Sequence, residues 1–116
     1  MTPIERLAAA YPTLFEGTAI QWSDCPPGWE TLVAALCARL VAEHPTVRCA
    51  QCKSKFGSLR FYVEEADEAA VALIRACEAQ SVRLCEECGA PGETRPLRGR
   101  VTTACPEHAA ERVPKT

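Results

Sequence analysis

Cys85-Glu86-Glu87-Cys88-Gly89, answered downstream by Cys105-Pro106-Glu107-His108, is the stretch from which the rest of the chain can be read. Each of these two pairs encloses two residues, and sixteen residues lie between the pairs. A two-residue gap lets a tight turn aim both side chains at one ion, and zinc takes four nitrogen or sulfur ligands in a tetrahedron. Gly89 suits the unusual φ that such a turn asks for. Pro106 suits the first position of a short helix whose first turn presents His108. The spacing therefore predicts one structural Zn2+ on Cys85, Cys88, Cys105 and His108. Four protein ligands leave no open position for water, so the site reads as structural and not catalytic.

Upstream of this knuckle the pattern alternates between helix and strand. Thr2-Pro3-Ile4-Glu5 is a capping box that starts a short helix towards Ala10, and Tyr11-Pro12 stops it. Residues 16–28 read as a loop, with Asp24-Cys25-Pro26-Pro27-Gly28 its strongest turn signal. Trp29, Leu32, Val33, Leu36, Cys37, Leu40 and Val41 recur at helical spacing up to His44-Pro45. Residues 47–53 and 59–63 read as strands joined through Ser54–Ser58 as a hairpin. A further helix runs from about Ala66 to Val82, its stripe formed by Ala66, Ala70, Leu73, Ile74, Cys77 and Ser81. The remainder is loop-rich. The fold class expected is α+β: a single small domain of two to three helices, a β-hairpin and a C-terminal zinc knuckle or ribbon. Residues 1–83 form its helix and hairpin core, and residues 84–110 form the zinc module packed on it.

The bulk composition narrows the function. At 116 residues and 47% hydrophobic content the chain has the size and composition of one globular domain. No signal peptide opens it and no apolar run is long enough to cross a bilayer, so a cytoplasmic location in a bacterial host is expected. In that compartment eight cysteines point to metal ligands and buried thiols before disulfides. Cys49 and Cys52 share the two-residue gap and raise a second metal or redox site, with Cys25 or Cys77 as partners. On a regular strand, however, positions 49 and 52 face opposite ways. Cys37 and Cys77 read as small core hydrophobes.

With a net charge of −2 and a sequence pI near 5.7, nothing marks a protein that coats nucleic acid generally. Locally the balance differs: residues 45–63 carry four basic groups and no acidic one. Gln51, Lys53 and Lys55 alternate along one strand, and Arg60 returns on the other. This is a donor set suited to a phosphate, a nucleotide or an acidic protein surface. Phe56, Phe61 and Tyr62 either stack on a partner's bases or fill the core, and the second use is the commoner. Two fates stand open for the cations: a binding face, or internal pairing with Glu64, Glu65, Asp67 and Glu68. Arg95, Arg98 and Arg100 form a second basic cluster in the loop between the ligand pairs.

Gly28-Trp29, the run Lys53-Ser54-Lys55-Phe56-Gly57-Ser58-Leu59-Arg60-Phe61-Tyr62, Ser81, and the Cys85-x-x-Cys88-Gly89 and Cys105-x-x-His108 pairs together form a pattern. It resembles a group of short zinc-binding proteins encoded by bacteriophages and prophages, over roughly residues 28–108. Ser54 and Ser58 depart from it, standing where an acidic residue and a glycine are expected. The resemblance implies a small zinc-containing α+β fold and an accessory phage role. The function expected is a phage-encoded, zinc-stabilised binding protein acting on a host component, foremost a host protein, as an anti-defence inhibitor. The alternative is a nucleic-acid or nucleotide binder using the basic hairpin. No catalytic constellation stands in the sequence: His108 is taken as a ligand, and His44 before Pro45 reads as a helix cap.

Overall fold

The computed structural model describes residues 1–97 and 99–112, the last two by backbone alone. The first helix, α1 (Pro3–Ala10), begins as its capping signal requires. The Thr2 hydroxyl accepts from the Glu5 amide, and Pro3 sits in the first turn, where its missing N–H costs nothing. Residues 16–28 wind through turns and two short 3-10 segments, Ile20–Trp22 and Pro27–Trp29.

Helix α2 (Glu30–Glu43) buries Val33, Leu36, Cys37 and Leu40, with Trp29 fully enclosed at its entrance. Val41, which its spacing assigns to the same stripe, lies at the rim and is 42% exposed. It stands about 100° round the helix from Leu40. The backbone N–H of His44 closes the helix on the Leu40 carbonyl.

Strands β1 (Arg48–Lys55) and β2 (Ser58–Glu64) pair antiparallel. Their turn is tighter than the Ser54–Ser58 loop expected. Phe56 and Gly57 alone make it, with φ of 54° and 78°. Two positive values in sequence are the mark of the I′ turn, which matches the twist of the strands it joins. A register shift between Cys49 and Gln51 adds one residue to β1. That bulge overturns the expectation that Cys49 and Cys52 face opposite ways: both point inward, at 1% and 0% exposure.

Both edges of this hairpin are covered. Along β1, the Cys49, Ala19 and Asp24 amides donate to the Leu14, Ala50 and Cys52 carbonyls. Along β2, the Leu59 amide donates to Ser81 Oγ and the Phe61 amide to Glu78 Oε2, both side chains of helix α3 (Glu68–Ser81). Asp67 caps α3 by accepting from the Ala70 amide, so the helix begins at Glu68, two residues on from the expected start near Ala66. Helices α2 and α3 lie against one face of the hairpin, around Trp29, Leu40, Leu59, Phe61 and Ile74. Phe15 meets Phe61 edge-on at 6.4 Å.

The sixteen residues between the ligand pairs, expected as loop, form a second antiparallel hairpin instead. It consists of β3 (Glu93–Leu97) and β4 (Arg100–Ala104), and α4 (Pro106–Arg112) follows. The class is α+β as expected, with four helices and two two-stranded sheets among the described residues. None of these helices is long and apolar enough to cross a membrane.

Candidate metal centre and basic face

The C-terminal module has a small apolar cluster of its own: Cys85, Leu97, Ala104, Cys105 and Ala109. So few side chains make a small core for two strands and a seven-residue helix, the situation in which small domains use a staple. Cys85 and Cys88 come from the turn after α3. Cys105 is delivered by the end of β4, and His108 by the first turn of α4. Their ligand atoms all lie within 4.8 Å of one another, close enough to hold one metal ion. Cys85 Sγ stands 3.5 Å from His108 Nδ1, Cys105 Sγ 3.2 Å from the same nitrogen, and Cys88 Sγ 3.8 Å from Cys105 Sγ. The His108 amide donates to Cys105 Sγ. Burial opposes ionisation of Cys85, but hydrogen bonds from the backbone at Cys105 and Cys88 outweigh it and hold the thiol below its ordinary value. That favours the thiolate, the form that ligates metal.

The knuckle is also the seat of the N-terminal core. The Gly28 amide donates to the Glu86 carbonyl, and the Trp29 indole N–H to the Leu84 carbonyl. Contact is so close that a β-carbon at Gly28 would fall 1.9 Å from the Cys85 carbonyl oxygen and 2.5 Å from the Gly89 nitrogen. Gly89 itself has φ 78°, as the turn demands. The Glu86 carboxylate accepts from Ser54 Oγ at 2.7 Å, Thr102 Oγ1 at 2.6 Å and the Thr103 amide at 2.9 Å. One side chain between two ligands thus ties β1, the knuckle and β4 together. An acidic residue at 54 would face that carboxylate; serine donates to it instead. Beyond it, Thr103 Oγ1 donates to the Gly57 carbonyl and seats the β1–β2 turn on the second hairpin.

The other face of β1–β2 is open. Cross-strand partners share a face, so Cys49/Val63, Cys52/Phe61 and Ser54/Leu59 look inward, while Arg48/Glu64, Gln51/Tyr62, Lys53/Arg60 and Lys55/Ser58 look outward. Lys53, Lys55 and Arg60 form no ion pair among the described residues, and pairing with Glu64, Glu65, Asp67 and Glu68 does not occur. Asp67 faces His44 instead, at 3.6 Å. Arg60 Nε is shielded from solvent without an acceptor. Lys55 Nζ lies 5.7 Å from the centre of the Phe56 ring. The aromatics divide: Phe61 is core, whereas Phe56 is 67% and Tyr62 43% exposed, so the commoner fate of filling the core holds for Phe61 alone. Gln51 turns sideways, its amide donating to the Trp22 carbonyl.

The second basic cluster, Arg95, Arg98 and Arg100, is described only in part. Arg95 pairs with Glu93 at 3.1 Å, and Arg98 lies outside the described residues. Arg100 joins Phe56, Ser54, Asp24, Glu87 and Val101 around a groove of about 680 Å³ between the two hairpins and the knuckle.

No second set of three or more metal-ligating residues lies within reach of one ion among the described residues. Cys25, Cys49 and Cys77 are pushed up to about 12 by burial, and Cys37 and Cys52 are pushed further in the same direction. All five are buried core thiols. Sequence reasoning missed two residues. Glu86 was hidden as a spacer between ligands, and only its partners reveal its work. Trp22, 70% exposed in a 3-10 turn beside β1, sits in a segment with no periodicity to mark it. Compared with known protein families, with curated proteins and with solved structures, the chain gives no match.

Proposed function

We propose that this chain is a phage-encoded, zinc-braced binding protein that performs no chemistry of its own and docks on an anionic host component, acting against host defence. The observation that carries the reading is the outer face of β1–β2, where Lys53, Lys55 and Arg60 form no ion pair among the described residues, on a hairpin fixed along both edges. Cations held in place without internal partners keep their attraction for an external one.

Zinc fits the brace. A tetrahedron with metal–sulfur bonds of ~2.3 Å and metal–nitrogen bonds of ~2.0–2.1 Å has sulfur–sulfur edges of ~3.8 Å and sulfur–nitrogen edges of ~3.6 Å. The edges here are 3.8 Å for Cys88–Cys105 and 3.5 Å and 3.2 Å from the sulfurs of Cys85 and Cys105 to His108. Three sulfurs and a nitrogen suit zinc's ligand preference, and a closed shell suits a structural role.

The test is the triple variant Lys53→Ala/Lys55→Ala/Arg60→Ala. Cross-linked in the bacterial cell, the native chain captures its host component, and the triple variant loses that capture while keeping its metal. Equal capture by the variant would assign binding to another face.

A further inference from the structure

We infer that the anionic component held on the β1–β2 face is single-stranded nucleic acid, its phosphates on Lys53, Lys55 and Arg60 and its bases stacked on Trp22 and Tyr62. The inference rests on the cationic face of the proposed function and names its occupant. Tyr62 is the cross-strand partner of Gln51, and Gln51 holds the Trp22 carbonyl at 2.6 Å. Trp22 and Tyr62, both exposed, therefore each neighbour Gln51 at one end of the face, one through its backbone carbonyl and the other as its cross-strand partner. The Lys53/Arg60 pair comes next, then Lys55, and Phe56 closes the tip. Cations that follow a backbone, interleaved with aromatic rings open to solvent, are the means by which single strands are held without reading their sequence.

An acidic protein surface fits less well. The core of a protein–protein contact is depleted in lysine and packed with apolar side chains. This face has none of the aliphatic kind: its outward pairs are Arg48/Glu64, Gln51/Tyr62, Lys53/Arg60 and Lys55/Ser58, and the one carboxylate, Glu64, lies at the end away from the turn. A duplex would satisfy the cations but leave the rings idle, since its bases are already stacked on one another. Outside residues 45–63 the chain carries nine basic and fifteen acidic groups, a balance that disfavours a strand over most of the remaining surface.

The probes are a fluorescein-labelled oligothymidylate of about fifteen nucleotides, a length within the usual site size, the same length of duplex DNA, and polyglutamate. Fluorescence anisotropy is read with the native protein and with Trp22→Ala, Tyr62→Ala and Lys53→Ala/Arg60→Ala, each checked for unchanged circular dichroism and metal content. The single strand is expected to bind well above the duplex and polyglutamate. Each aromatic substitution should weaken it about tenfold. The Lys53→Ala/Arg60→Ala variant should flatten the dependence of log affinity on log salt by roughly 1.4 for the two lost contacts. Equal binding of all three polyanions, unchanged by Trp22→Ala and Tyr62→Ala, overturns the nucleic-acid assignment while leaving the cationic face intact. No binding of any polyanion at low salt overturns both.

Discussion

At the scale of single residues, two contacts decide whether the halves of the molecule fit. Gly28 lies so tightly on the knuckle that any side chain must push the Cys85 carbonyl or the Gly89 amide aside, and neither is a flexible group. Gly28→Ala is expected to cost about 1–3 kcal/mol in urea unfolding, the usual range for overpacking. A neutral result would mean that the two halves are not seated as described. Glu86 works by charge and not by shape, gathering a hydroxyl from each hairpin and one amide. Nothing in the local sequence marks either role, because both depend on what arrives from more than fifty and more than thirty positions away in the chain, as Trp29 with Leu84 and Ser54 with Glu86 illustrate. The four metal-site residues were legible because their spacing is itself the geometric requirement.

At the scale of elements, caps and stripes carried the reading and interruptions defeated it. α1 was readable from Thr2, Pro3 and Glu5, since an N-cap is a local device. The β1 bulge was not, because an extra residue in one strand is defined only by its partner's register. The β3–β4 hairpin was missed for another reason: Pro96 and three arginines lie in a stretch with few apolar residues to set an alternation. The bulge has a chemical consequence. It turns Cys49 and Cys52 into the same core as Cys25, Cys37 and Cys77, where burial lifts Cys25, Cys49 and Cys77 from 9.0 to about 12. Native protein at pH 8 should therefore resist iodoacetamide at these five positions and expose all eight cysteines only on unfolding. The sign also fixes an alkaline limit. Thiols that ionise near 9.0 when unfolded and near 12 when folded favour the folded state below pH 9 and surrender that stability as pH rises above it. Rapid native alkylation of Cys49 and Cys52, read by peptide mass spectrometry, would restore them as a reactive pair.

At the scale of the whole molecule, the metal centre, the knuckle and the two hairpins form one mechanical chain. Cys85 and Cys88 set the knuckle, Glu86 and Gly28 lock it to the N-terminal core, and Thr103 holds the Gly57 turn beneath the basic face. The C-terminal cluster of Cys85, Leu97, Ala104, Cys105 and Ala109 is small, so under the proposed function the basic face depends on an ion that never touches it. The most direct test of that claim is native mass spectrometry of the purified chain beside its Cys88→Ser variant, with circular dichroism melts on the same samples. The account predicts one zinc per native chain, none on the variant, and a melting temperature lowered by ten degrees or more, since a structural zinc site contributes on the order of 10 kcal/mol in small domains. A native chain without zinc, or a variant that melts at the native temperature, would contradict it.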